Sequence, residues 1–165
     1  MTTTPSRMLV FACTGNICRS PLARVYADQE LARSGLDRLF GTDSVGTHAY
    51  HSGLPADPRS IELAAEFGLD LESHLARRVL DRDFQAEFLL VMDHHNLQHL
   101  RPRAPAERVG RIKLLLEFAG HPGKEVPDPY TGAMDDFRHS FDLIRQGIDG
   151  LIKSLQRLHN AGAFD

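Results

Sequence analysis

Cys13 and Arg19 bracket five residues, Thr14-Gly15-Asn16-Ile17-Cys18, and Ser20-Pro21 follows directly. A loop of that length can curl around a tetrahedral anion. The Cys13 sulfur then lies beneath the central atom, and Arg19 folds back to grip two oxygens with its planar fork. Gly15 and Asn16 tolerate left-handed backbone. A loop that alternates hand can aim successive N–H groups at one point and so make an anion nest. The N-terminus of a following helix adds free N–H groups and a positive dipole end, which favour thiolate over thiol at Cys13. Ser20 is placed to donate a hydrogen bond to that thiolate and steady it as a leaving group. The chemistry expected is nucleophilic attack by sulfur on phosphorus. The bland alternative is a buried cysteine beside a tight turn. A position between an apolar strand and a Pro-opened helix argues against it. The segment lacks the Gly-Lys-Ser/Thr ending of a nucleotide loop and the Gly-x-Gly-x-x-Gly pattern of a dinucleotide site.

Such a loop needs a frame. Met8 to Ala12 is a short continuous apolar run, which predicts a strand from Arg7 to Ala12 buried on both faces. Pro21 opens a helix running to about Arg33, and Gly35 stops it. A second strand is expected at Asp43 to Thr47. Asp57 then caps a helix that Pro58 opens and Gly68 ends, with Ile61, Ala64 and Ala65 facing inward. Phe88 to Met92 reads as a buried strand and Asn96 to Leu100 as a short helix before Pro102. Arg111 to Leu115 reads as a fourth strand, with Leu116 to Ala119 leading out of it. Pro102 to Arg108 reads as a surface connection. The stripe Phe137, Phe141, Ile144, Ile148, Leu151, Leu155, Leu158 predicts one long helix with a single apolar face. A coiled-coil partner could use that face, but the run spans only about three heptads and lacks regular flanking charges. Strands that alternate with helices predict a parallel α/β sheet with helices on both faces. In such sheets ligands bind at the carboxyl ends of the strands, where the cysteine loop falls.

The chain of 165 residues suits one domain over 1–165, with 1–6 and 160–165 expected as flexible ends. A chain this long buries roughly 70% of its unfolded surface and needs no staple. A net charge of -3 makes no broad basic field, so nucleic acid is not an expected partner. Met8 to Ala12 is too short for a signal-peptide core, and no segment reaches membrane-spanning length without charge. A cytoplasmic protein is expected. The two cysteines share one short loop, unlike a disulfide framework or a cysteine zinc site. Among the nine histidines, His94, His95 and His99 crowd one segment. They lack the glutamate of a zinc protease motif and read as surface residues, so no metal is expected. His74 reads either as a structural histidine or as part of a loop-supporting network. Cys18 is either a core-packing thiol or a partner that forms a disulfide with Cys13 under oxidant. Asp57, Arg59 and Asp93 read as structural.

Cys13 through Pro21 closely resembles the active-site loop of the low-molecular-weight protein tyrosine phosphatases. Val126-Pro127-Asp128-Pro129-Tyr130 resembles that family's general-acid loop. Asp43-Ser44, Ala56-Asp57-Pro58-Arg59 and Val91-Met92-Asp93 with Asn96 resemble further family stretches, in the family's order, so the likeness runs from about Met8 to Leu158. It implies a single-domain, flavodoxin-like fold with a four-stranded parallel sheet, helices on both faces and no cofactor. It implies Cys13 as nucleophile, Arg19 as phosphate clamp and Asp128 as general acid. Thr14, Gly15, Asn16, Ile17, Cys18 and Arg19 would bind the phosphate. Asn16 would hold the strained loop with Ser20, Ser44 and His74. Tyr50 and Tyr130 would wall the pocket around a phenyl ring, with Ile17 at its mouth. The related arginine phosphatases tend to carry Thr at that last position, so Ile17 favours tyrosine. Phosphotyrosine proteins are the implied partners and inorganic phosphate the product. The opposing protonation needs of Cys13 and Asp128 predict a bell-shaped pH profile with an acidic optimum.

Three rivals meet the same residues. A thiol-dependent arsenate reductase needs a relay of further cysteines, and none follows Cys18. A silent phosphate-binding module would keep Arg19 but has no use for Cys13 and Asp128 together. A scaffold built on the C-terminal stripe leaves the loop unexplained.

Overall fold

The computed structural model describes residues 5–165; residues 1–4 of the N-terminal end expected to be flexible lie outside the described residues. Four strands, β1 (Arg7–Cys13), β2 (Phe40–Gly46), β3 (Phe88–Val91) and β4 (Ile112–Leu114), form one parallel sheet in the order β2-β1-β3-β4. Between and after them lie α1 (Arg19–Arg33), α2 (Pro58–Glu66), α3 (His94–Leu100) and α4 (Met134–Asn160). The expected four-stranded, single-domain α/β architecture is the one observed.

β1 explains the layering. Side chains alternate across a strand, and both faces of β1 are buried. Leu9 and Phe11 join the core made with α1, α2 and α4, while Val10 and Ala12 join Leu97 and Leu100 of α3 on the other face. A continuous apolar run is what two covered faces require. The α4 stripe packs on the sheet side, buried from Phe137 to Leu155; Leu158 is 41% exposed.

Several boundaries move for identifiable reasons. β2 begins at Phe40 rather than Asp43, because Phe40 and Gly41 pair with Arg7 and Met8. α3 begins at His94 rather than Asn96, because Asp93 caps it and accepts from the Asn96 N–H at 2.8 Å. α2 turns Ser60, Leu63 and Ala64 inward; Ile61 lies at the flank, and Ala65 is exposed rather than inward. At 3.6 residues per turn, positions 60, 63 and 64 share a face that excludes 65. The Pro102 to Arg108 connection contains two short 3-10 turns, Arg101–Arg103 and Ala106–Arg111. At the C-terminal end, Phe164 lays its ring edge-on against Phe40 at 5.0 Å, with the Arg7 guanidinium over it.

Connections from β1 and β3 leave toward opposite faces of the sheet. A crevice therefore opens at their adjacent carboxyl ends, the topological switch point of an open α/β sheet. Cys13 ends β1, and Asp93 follows β3.

Candidate active site

The loop between β1 and α1 is anchored at each turn. Thr47 N–H donates to the Cys13 carbonyl (2.9 Å), His48 N–H to that of Thr14 (3.1 Å) and Asp57 N–H to that of Ile17 (2.9 Å). Asn16 holds the loop from within. It is fully buried with φ 59°, the left-handed conformation that few side chains tolerate. Its Nδ2 donates to Ser20 Oγ (2.9 Å) and Ser44 Oγ (3.0 Å), and its Oδ1 accepts from Arg77 N–H (3.0 Å). Its carbonyl meets His74 Nε2 at 2.7 Å. Burial holds His74 below the ordinary imidazole value, so the neutral ring donates Nε2–H to that carbonyl. Ser20 thus receives a bond from Asn16, and its own hydroxyl lies between Cys13 Sγ at 3.0 Å and the Val45 carbonyl, to which it donates at 3.3 Å.

These supports turn the other side of the loop outward. Among the described residues, nothing accepts a hydrogen bond from the N–H groups of Gly15, Asn16 or Ile17. They remain available to an anion. Arg19, 1% exposed, is oriented from one side: Nη1 donates to Asp93 Oδ2 at 2.7 Å and to the Val126 carbonyl at 2.9 Å. Its buried Nε has no partner among the described residues, and Nη2 lies 3.6 Å from Asp128 Oδ2. An orphaned buried donor costs about 1–3 kcal/mol. The unspent Nε–Nη2 edge is the one that can grip two oxygens of a phosphate. Burial works against the Arg19 charge, but Cys13, Asp128 and Asp93 outweigh it and raise its proton affinity above the ordinary value.

A cavity of about 220 Å³ opens over this edge, lined by Cys13, Thr14, Gly15, Ile17, Cys18, Arg19, Tyr50, His51, Asp128 and Tyr130. The predicted nucleophile, clamp, acid and pocket walls therefore surround one space. Ser44 and His74 stand behind the loop, where support is expected. Asn16 is fully buried and does not line the cavity. Tyr50 is 68% exposed and stacks on His48, with centroids 4.8 Å apart. Both cysteines are free; burial, then the Cys13 and Asp57 charges, push the Cys18 thiol well up.

Sequence reasoning missed three contributors. His51 packs so closely over Gly15 that a Cβ there would lie 2.7 Å from its ring, and it faces Tyr130 at 5.8 Å. Asp93 caps a helix and also orients Arg19. Arg59 bonds to the carbonyls of Tyr130 and Gly132. Only for His51 was a local signal present, its place beside Tyr50. Of the crowded histidines, His95 stacks on His48 at 5.8 Å and His99 meets it tilted at 4.4 Å. Among the described residues no group of His, Cys, Asp and Glu is arranged to hold a metal.

A cysteine under an N–H cradle, a buried arginine with a free edge and a carboxyl at the rim are the parts that a thiol-based phosphate site needs, brought together on an open α/β sheet. Residues 8–161 match the family described as low molecular weight phosphotyrosine protein phosphatase. The low molecular weight phosphotyrosine protein phosphatase of Schizosaccharomyces pombe is 35% identical over 92% of this chain and 99% of its own length. A Streptomyces coelicolor low molecular weight protein-tyrosine-phosphatase is also 35% identical, over 88% and 92%. The crystal structure of an Entamoeba histolytica protein tyrosine phosphatase with Hepes in its active site superposes with a TM-score of 0.86 at 32% identity, covering 92% of this chain and 98% of that one. The chain belongs to the low molecular weight phosphotyrosine protein phosphatase family and is an enzyme of that class.

Proposed function

We propose that this family member hydrolyses phosphotyrosine in proteins through a phosphocysteine on Cys13, with Asp128 as general acid and then base. The observation that carries the reading is the convergence of Cys13 Sγ, the unspent Arg19 edge and Asp128 on one cavity rimmed by Tyr50 and Tyr130.

The Cys13 thiolate attacks phosphorus in line as the bond to the phenolic oxygen breaks. The Asp128 carboxyl gives its proton to that oxygen, and tyrosine leaves. Loop N–H groups and the Arg19 edge hold the equatorial oxygens throughout, so positioning and fixed dipoles supply most of the acceleration. Asp128, now a carboxylate, takes a proton from water as the water oxygen bonds to phosphorus. The P–S bond breaks, Cys13 departs as thiolate beside the Ser20 hydroxyl, and inorganic phosphate is released. The Tyr50, His51 and Tyr130 rings flank a planar phenyl ester better than a flexible alkyl phosphate. A working thiolate needs reducing surroundings, which supports a cytoplasmic location. No helix among the described residues is long and apolar enough to cross a membrane.

Cys18 is the resolving thiol in this reading. Peroxide converts Cys13 to a sulfenic acid, which condenses with the Cys18 thiol to a disulfide and water.

The test is hydrolysis of p-nitrophenyl phosphate across pH in EDTA, wild type beside Cys13→Ser. The expected result is metal-independent turnover with an acidic optimum, abolished in the variant while oxyanion binding persists. Turnover near wild type in Cys13→Ser would sink the nucleophile assignment. In the same assay, activity lost to mild peroxide returns on reduction in wild type and stays lost in Cys18→Ser.

A further inference from the structure

The loop that carries Asp128 is held differently at its two ends. Upstream, Val126 N–H donates to the Met92 carbonyl (2.8 Å), Arg19 Nη1 to that of Val126 (2.9 Å) and Ser140 Oγ to that of Pro127 (2.7 Å). Past Asp128 the loop bonds to itself, Tyr130 N–H to Asp128 Oδ1 (3.1 Å) and Gly132 N–H to the Pro129 carbonyl (2.8 Å). Its downstream carbonyls are held from outside by one side chain. Arg59 Nη2 donates to the Tyr130 carbonyl at 2.9 Å and Nη1 to that of Gly132 at 2.7 Å.

Arg59 is itself fixed. Its Nε and Nη2 donate to Asp57 Oδ1 (3.0 Å) and Oδ2 (2.9 Å), and its guanidinium lies over the Phe137 ring at 4.2 Å. Hydrogen bonds from Arg59 outweigh burial and hold the Asp57 carboxyl below its usual value, so the pair stays ionised. Asp57 and its helix are tied to the phosphate loop in turn. Asp57 N–H donates to the Ile17 carbonyl (2.9 Å) and Ser60 Oγ to that of Cys18 (3.1 Å). Two residues thus connect the cradle that holds the phosphate to the loop that holds the carboxyl.

We propose that Arg59 is a positioning residue: a latch that sets where Asp128 stands over the phosphate loop, and so controls protonation of the leaving group without touching the substrate. This rests on the reading of Asp128 as general acid. Two carbonyls and a carboxylate are met by one rigid fork, a task a lysine ammonium cannot reproduce. The Arg59 side chain is 32% exposed, so water can reach acceptors that its removal frees. Losing it releases the loop rather than the fold.

A displaced acid matters only when the leaving group needs its proton. Wild type, Arg59→Lys, Arg59→Met and Asp128→Ala are compared by kcat/KM on phenyl phosphate and on p-nitrophenyl phosphate, whose phenolate leaves far more readily. Inorganic phosphate inhibition and thermal midpoint are measured alongside. Both Arg59 variants are expected to lose roughly tenfold or more on phenyl phosphate, since misplacement by about 1 Å costs up to 10²-fold. The loss on p-nitrophenyl phosphate should stay within about threefold, and phosphate inhibition within about twofold, while Asp128→Ala shows the same pattern more strongly. Equal losses on both esters would make Arg59 a support of the phosphate loop or fold and overturn the latch. So would unchanged rates. An Asp128→Ala variant without leaving-group dependence would remove the acid reading beneath it. If Arg59→Met does not fold, Arg59→Lys keeps the charge beside Asp57 and gives the same comparison.

Discussion

Asn16 spends its side-chain amide and its carbonyl on holding the phosphate loop, and it does so with φ 59°. Two contributions are separable there. Asn16→Gly keeps the left-handed backbone and deletes the bonds to Ser20, Ser44 and Arg77. Asn16→Ala deletes the same bonds and adds strain of about 1–2 kcal/mol. Both should lose most activity, and Asn16→Ala should also unfold at lower urea by that margin. Equal midpoints would mean the loop relaxes out of its left-handed turn. Residues such as Cys13, Asn16 and Arg19 were legible because one short segment holds them all. Arg59 and Asp93 were not, and they read as structural. Arg59 meets its acceptors 71 and 73 positions away, and Asp93 its arginine 74 away. Only the fold brings these partners together.

At the scale of elements, a close approach decides how α4 seats on the sheet. The segment Leu115–Ala119 crosses α4 where the helix carries Gly147 and Gly150. A Cβ at Gly150 would lie 1.9 Å from the Phe118 carbonyl oxygen, and one at Gly147 2.6 Å from Leu115. Backbone cannot step aside as a side-chain tip can. Gly150→Ala, though favourable to an isolated helix, should destabilise the protein by about 1–3 kcal/mol through overpacking. A lower urea midpoint with unchanged slope would report it; a stabilised variant would mean the crossing segment yields. The apolar stripe of α4 was legible from its period, and the two glycines were not, since a notch is visible only once its occupant is known. Ala65 was misplaced for a related reason. In nine residues of α2, two faces fit the pattern, and packing chose the one with Ser60. Strand order was likewise beyond residue patterning: alternation gave parallel strands, and the family likeness implied the sheet.

For the whole molecule, pH acts through imidazoles. His48, His74 and His99 all lie below their ordinary values, with burial the leading cause. His48 also feels His99, His95 and Arg78, while Arg103 and Arg78 bear on His99. The unfolded chain takes these protons near about pH 6.5, and the folded chain only below that. Stability is therefore full above about pH 6.5 and falls as pH drops toward the folded values. Asp43 and Asp57 are depressed carboxyls whose contribution persists to about pH 4, so they do not confuse a comparison of pH 5 with pH 7.5. The urea midpoint should be lower at pH 5, and His48→Phe, which keeps an aromatic stack without a proton site, should narrow the gap. An unchanged gap would assign the acid sensitivity elsewhere. The wide separation of Cys13 from Asp128 along the chain has a temporal consequence. The partners that hold Asn16 (Ser20, Ser44, His74 and Arg77) have all been synthesised by Arg77, whereas the loop past Val126 arrives much later and is tied to Ser140 of α4. On the proposed mechanism, a ribosome-bound chain thus carries its sulfur long before its acid, and the power to cleave phenyl phosphate esters is among the last properties that the nascent protein acquires.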